Sequence, residues 1–459
     1  MLKKTSKKEK KQNIVEMPLV NANAAGVDIS VKEHVVAIPE GRDTERVRCF
    51  GTMTCDLAEI VVWLKKMLIE TVAMESTGVY WKPLFSLLIR EGFEVYLVNS
   101  KHVKNVTGRK TDEDDAMWIQ KLHSCGLLKS SYLPDEQQDA LRTLVRYRRT
   151  LIQDSSRFVN RMQKSLEQMN IKFHTVISDI VGETGRAVVE AIIAGERNAE
   201  KFLPLIGKGI KADHETIKKS LTGNWQEEHL FTLEQSYEIY NMFRYRIRRF
   251  DEKIEKQLQQ YEASCNEGVI EDKIPDKPAT SVKTAKKKKD KNHPPFNVRQ
   301  YLKRIHGVDV LAIYGLSDTG GLEILAETGT DLSDWENANH FKGWLNLCSN
   351  NKISGGKVIS SKVMKKKANL ASQAFKHAAN GVQHSDNYLG DFFRRMKAKG
   401  GHKHAVVATA GKIATIYYHM VRYKKEFAPL KLEEYQQKYK QAKIAYLQRK
   451  LDQLKKEVA

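Results

Sequence analysis

Four carboxylates and one serine have the residue types and spacing that could act on a phosphodiester. Asp28 interrupts the apolar run Val27-Asp28-Ile29, and Glu75 closes the run Glu70-Thr71-Val72-Ala73-Met74-Glu75. Asp112 and Asp115 stand three apart at the head of a helical segment, a spacing that shares one helix face. In a mixed sheet whose first and fourth strands are neighbours, Asp28 would be set beside Glu75. A helix packed against that sheet end would add Asp112 and Asp115. Carboxylates gathered this way repel one another unless a divalent cation relieves them. Mg²⁺, or Mn²⁺ in its place, takes oxygen ligands and keeps several waters. Two such ions can clamp the attacking and leaving oxygens of a phosphodiester. Each residue also has a plainer role open to it. Asp28 could end a strand or cap a turn, and Glu75 could sit on the surface before one. Asp112 could cap its helix while Asp115 favours the helix dipole. Asp114 falls on a different helical face.

The serine is Ser354, in Lys352-Ile353-Ser354-Gly355-Gly356-Lys357. Two following glycines predict a loop where backbone can approach a phosphate closely. Lys352, Lys357, Lys362 and Lys365 to Lys367 surround it, and nearby cations can stabilise charge on a transferring phosphoryl group. Spacing alone leaves two roles open: a nucleophile, or a Ser-Gly-Gly turn beside a basic surface.

The elements that must position these residues follow from periodicity. Between Ala24 and Gly126 short apolar strands alternate with helices: three strands joined locally, then helix–strand–helix–strand–helix. That order predicts a mixed sheet covered by helices. From Glu136 to Met169, Leu141, Val145, Leu151, Met162 and Leu166 recur at helical spacing. From Leu230 to Tyr261, Leu233, Tyr237, Tyr240, Phe243, Ile247, Phe250, Ile254 and Leu258 alternate threes and fours, close to a heptad seam. An antiparallel coiled-coil hairpin that pairs with another subunit fits this pattern, as does a bundle inside one chain. The run Lys286-Lys287-Lys288-Lys289 lies among prolines in a segment unable to bury a core. The expected domains are a basic arm over 1–23, an α/β domain over 24–130 and a helical coiled-coil domain over 131–271. A lysine-rich linker over 272–295, a mainly α-helical serine-containing domain over 296–424 and a C-terminal helix over 425–459 complete the chain.

Among 459 residues, Lys and Arg number 77 against 56 Asp and Glu, a formal net charge of +21. Each phosphate neutralised by Lys or Arg releases condensed counterions, so this surplus favours a polyanionic partner. Five scattered cysteines (Cys49, Cys55, Cys125, Cys265 and Cys348) contain no Cys-x-x-Cys pair, which argues against a disulfide framework and a zinc site. No apolar run reaches the roughly 18 residues of a membrane span. The expectation is a cytoplasmic protein, nucleoid-associated and without a membrane partner.

Three segments together are similar to the signature of the DEDD transposases, the IS-one-ten group of insertion-sequence recombinases. They are Val27-Asp28-Ile29-Ser30, Met74-Glu75-Ser76-Thr77-Gly78-Val79-Tyr80-Trp81, and Gly108-Arg109-Lys110-Thr111-Asp112-Glu113-Asp114-Asp115-Ala116. Leu144-Val145-Arg146-Tyr147-Arg148-Arg149 and Ser354-Gly355-Gly356 resemble the group too. The resemblance implies a RuvC-like α/β domain followed by α-helical domains, with Asp28, Glu75, Asp112 and Asp115 as a metal-binding tetrad. It implies that Ser354 is the nucleophile, forming a covalent phosphoserine link to DNA; Arg109, Lys110, Lys352, Lys357 and Lys362 are, by their charge and place, candidate nucleic-acid contacts. It further implies donor and target DNA as substrates, a structured non-coding guide RNA, and a dimer or tetramer that assembles a composite site. One departure stands out: the group's Pro-Gly-Val-Gly helix-hairpin-helix turn reads Ile305-His306-Gly307-Val308-Asp309 here. Two rival functions remain open on the residues, a junction-cleaving endonuclease that uses water and a non-catalytic RNA-binding scaffold.

Overall fold

The computed structural model describes residues 18–76, 78–99, 112–266, 292–362 and 369–458. Arg109, Lys110, Lys286–Lys289, Lys365–Lys367 and the arm up to residue 17 lie outside the described residues, as do the side chains of Asp112, Lys352, Lys357 and Lys362. The chain divides into two compact units between Leu133 and Pro134.

The first unit is built from β1 (Ala24–Ile29), β2 (His34–Ala37), β3 (Val47–Phe50), α1 (Thr54–Lys66), β4 (Thr71–Glu75), α2 (Trp81–Arg90), β5 (Glu94–Val98) and α3 (Asp112–Ser124). Its five strands form one mixed sheet in the order β3-β2-β1-β4-β5. The β1–β2 and β2–β3 pairs are antiparallel, whereas β1–β4 and β4–β5 are parallel. Alternate residues of a strand face opposite sides, and the two sides bury different partners. Ala25, Val27, Ile29, Val72, Met74, Val95 and Leu97 pack with Ile60 and Leu64 of α1 and Leu84 and Leu88 of α2. On the other side Ala73 and Val98 pack with Ile119 of α3, and Val35 and Ala37 pack with Ala116.

The second unit is mainly helical. Its elements are α4 (Glu136–Gln168), α5 (Glu183–Ile193), α6 (His214–Ser220), α7 (Glu227–Asn266), α8 (Val298–His306), α9 (Asp318–Thr328), α10 (Ala338–Trp344), β6 (Asn350–Ser354), β7 (Lys357–Lys362), α11 (Leu370–Gly381), α12 (Tyr388–Tyr423, kinked at Gly401) and α13 (Leu432–Val458). Asp135 caps α4 by accepting from the Gln138 N–H at 2.7 Å. Helices α4 and α7 run antiparallel. Ser165 lies 3.0 Å from Thr232, the Phe158 and Phe243 rings are 5.6 Å apart, and Tyr147 and Phe250 are 5.1 Å apart. The apolar seam is therefore satisfied within one chain: Val145, Met162 and Leu166 are buried on α4, and Leu233, Ile247 and Ile254 on α7. Ile247 is 2% exposed, so a charge placed there would report on folding and not on pairing with another subunit.

The arginines of α4 hold the second unit together. Arg146 grips Glu327 of α9 with two bonds of 2.7 and 2.8 Å, and Arg142 approaches the same carboxylate at 3.3 Å. Arg149 donates to Glu323 at 2.5 Å and to Gln373 of α11 at 3.0 Å. Arg148 pairs with Asp251 of α7, both buried, and donates to the Asn292 carbonyl at 2.8 Å. Burial pushes the Asp251 and Glu323 carboxyls above their usual range, opposed by the neighbouring arginines. Breaking a buried ion pair from one side leaves an uncompensated charge. Asp251→Ala should therefore lower stability by about 3–5 kcal/mol, read as a drop in the urea midpoint. The double substitution Arg148→Met, Asp251→Leu should recover most of that loss.

Candidate active site

Asp28 and Glu75 come together through strand register. β1 pairs with β4 in parallel and sets Val27 opposite Met74; one residue further along, Asp28 stands beside Glu75. Both lie on the α3 face of the sheet, because Val27 and Met74 face α1 and α2. Glu75 is buried at 9% exposure, and Asp28 is half-buried.

The third element is α3, and its placement depends on a missing side chain. A Cβ on Gly26 would come within 2.3 Å of the Gln120 backbone nitrogen and 2.4 Å of the Ala116 carbonyl. The helix backbone therefore rests directly on β1. Its carboxyl end is tied to the start of the sheet: Ser124 O accepts from the Val20 and Asn21 N–H groups at 2.8 and 2.9 Å. His123 Nε2 lies 2.8 Å from Thr71 Oγ1 at the start of β4. Gln120 reaches the Ala24 carbonyl at 3.3 Å. The helix thus runs opposite to β1 and β4, and its first turn, with half-buried Asp115, lies toward the strand ends that carry Asp28 and Glu75. Position 112 opens the same helix. Asp114 is exposed.

These are all carboxylate donors, which suits a hard cation such as Mg²⁺. Among the described residues no three His, Cys, Asp or Glu side chains are grouped so as to hold a metal ion. Asp28, Glu75 and Asp115 share a sheet end without forming a closed ligand set.

Ser354 occupies a different setting from the predicted loop. It is the last residue of β6, paired with Lys357 across a two-residue turn. Gly355 and Gly356 both have positive φ, 56° and 74°. A two-residue hairpin turn of this hand requires φ > 0 at both central positions, so the glycines answer to turn geometry as well as to any ligand. The hairpin also departs from the mainly helical expectation for this region. Ser354 is exposed, and the flanking Ile353 and Ile359 are 64% and 70% exposed. The hydroxyl therefore stands near the tip of a projecting arm.

The altered helix-hairpin-helix turn is closed by its own chain. His306 is fully buried, with Nδ1 3.1 Å from the Thr330 carbonyl and Nε2 3.1 Å from the Tyr417 hydroxyl. Lys424 Nζ donates to the His306 carbonyl at 2.9 Å. Asp309 accepts from Arg299, and its own N–H donates to Glu426 at 3.3 Å. Sequence reading missed these locks, as it missed the internal use of the α4 arginines.

Residues 25–171 match the family model for DEDD transposases of the IS110 group, described as transposase. No curated protein matches the chain. Among the described residues no helix is long and apolar enough to cross a membrane.

Two outcomes follow from how α3 is seated. Gly26→Ala drives a methyl into helix backbone, which cannot swing aside. It should cost about 1–3 kcal/mol of stability, measured by urea unfolding followed by tryptophan fluorescence. Burial also pushes the His123 imidazole down to about 4. Between that value and the ordinary 6.5 the unfolded chain binds a proton that the folded one refuses, so stability falls as pH drops through this window. The loss should be on the order of 3 kcal/mol from this group, and His123→Gln should flatten the melting temperature against pH between 6.5 and 4.

Proposed function

We propose that this chain, whose residues 25–171 match the IS110 transposase family model, cuts and rejoins DNA with its four carboxylates and Ser354. The observation that carries the reading is the meeting of Asp28 and Glu75 on adjacent parallel strands, with the first turn of α3 set toward the same sheet end. Asp28, Glu75, Asp112 and Asp115 would hold Mg²⁺ or Mn²⁺, with substrate oxygens completing a set the described carboxylates leave open. A bound cation of this kind supplies charge to offset that on a phosphodiester.

Ser354 is the nucleophile in this reading. Its Oγ forms a bond to phosphorus, one P–O bond of the strand breaks, and the departing sugar oxygen leaves as a hydroxyl. A serine hydroxyl is a weak nucleophile at neutral pH and needs activation. Lysines 352, 357 and 362 along the same hairpin favour the charge that develops on the phosphoryl group. An exposed hairpin suits a hydroxyl that must reach a phosphate held in a bulky duplex. Rejoining is the reverse step, with a sugar hydroxyl of the new strand displacing Ser354.

The partners in this reading are donor and target DNA, a structured non-coding RNA that pairs with both, and further copies of the chain. The net charge of +21 suits a protein that holds several polyanions.

Incubation with cognate DNA and Mg²⁺ should give a protein–DNA adduct that survives denaturation. Asp28→Asn, Glu75→Gln and Asp115→Asn should each reduce cleavage at least a hundred-fold, on the scale of lost phosphoryl-charge stabilisation. Ser354→Ala should abolish the adduct while nucleic-acid binding persists. Cleavage that continues undiminished in Ser354→Ala would show water as the nucleophile. An adduct that maps to Tyr417 or Tyr418 would also overturn the assignment.

A further inference from the structure

We propose that the outward stripe of α7 binds an unpaired nucleic-acid strand, with phosphates on Arg246, Arg249, Lys253 and Lys256 and a base stacked on Tyr147. The inference rests on the reading that nucleic acid is the partner, and it names where one strand runs.

The four cations recur at intervals of three, four and three along one helix, so they share a face and span about 15 Å at 1.5 Å per residue. All four are exposed. With Leu144 of α4 and Phe250 they line an open groove of about 430 Å³. Glu252 is the one acidic residue in that lining.

Their lack of ion pairs contrasts with the arginines of α4 that face the interior of the same unit. Arg142, Arg146, Arg148 and Arg149 each meet a carboxylate of Glu323, Glu327 or Asp251. Among the described residues, Arg246, Arg249, Lys253 and Lys256 take part in no ion pair. Like charges three and four residues apart oppose one another on a helix. A row of them without internal counter-charge is relieved when an external polyanion lies along it.

The aromatic pair beside the row indicates which polyanion. Tyr147 stacks on Phe250 with ring centres 5.1 Å apart and planes 22° from parallel. Phe250 is half-buried and fixes the pair, whereas Tyr147 is 55% exposed and offers its other face outward. Cationic tracks combined with exposed aromatic platforms are how proteins hold single strands, since every unpaired base has a π-face. A duplex keeps its bases stacked inside and would leave Tyr147 unused. An acidic peptide would use the cations and not the ring.

The test uses the full chain with three probes: a single-stranded deoxythymidine oligonucleotide, its ribose counterpart and a duplex, each titrated over a range of salt. Replacing all four cations by Gln should weaken single-strand binding. It should also reduce the slope of log affinity against log salt by about 3, from roughly 0.7 per phosphate contact. Single replacements, Arg249→Gln and Lys253→Gln, should each lower the slope by about 0.7 and guard against misfolding of the fourfold variant. Tyr147→Ala should weaken single-strand binding roughly ten-fold with the slope and duplex binding unchanged. Stronger binding of the ribose strand assigns the groove to RNA, and stronger binding of the deoxyribose strand assigns it to DNA. An unchanged slope in all cation variants overturns the inference. So does equal loss of strand and duplex in Tyr147→Ala, or polyglutamate competing as well as the oligonucleotide. Adduct formation by the wild-type chain is scored separately, so loss of the groove and loss of the Ser354 chemistry are told apart.

Discussion

The candidate site depends on how closely α3 can approach β1, and that approach exists only because residue 26 has no side chain. Helix and strand meet backbone to backbone, with no room for even a methyl group between them. Once the helix lies there, its anchors at Ser124, His123 and Gln120 set its direction. The head of the helix must then point toward the strand ends carrying Asp28 and Glu75. A glycine two residues before a candidate ligand thus positions another ligand some ninety residues later in the chain.

In the second unit the decisive interactions are the ion pairs that the arginines of α4 make with buried carboxylates. The segment Leu144 to Arg149 resembles a family signature, yet three of its residues are held by Glu323, Glu327 and Asp251. Long guanidinium groups bind carboxylates bidentately and tolerate partial burial, so they suit the joint where α4 meets α7, α9 and α11. Cations available to an external anion lie elsewhere, on the outer face of α7. Net charge alone could not separate the two sets, because it counts them equally.

Ser354 shows the same ambiguity at the scale of a turn. Two glycines after a serine suggested room for a phosphate, and positive φ at both residues supplies a sufficient geometric reason for them. What the fold adds is exposure at the end of a projecting hairpin, flanked by apolar side chains that nothing in their own strands covers.

Local pattern was enough for much of this protein. The apolar run ending at Glu75 marked β4 to within a residue, Asp112 marked the head of α3, and the order of elements implied a mixed sheet. The threes and fours of Leu230 to Tyr261 marked a long helix with one buried side. These features were legible because burial of one face imposes a period on the residues that make it. Three matters were settled only by tertiary contact. Whether the α7 seam faces its own chain or another cannot be read from a periodicity that serves both. Which arginines are internal depends on Glu323, Glu327 and Asp251, each more than a hundred residues away. The helix direction that brings Asp115 toward Asp28 depends on Gly26 meeting Ala116 and Gln120 in space, and a glycine's spacing in sequence carries no record of what packs against it.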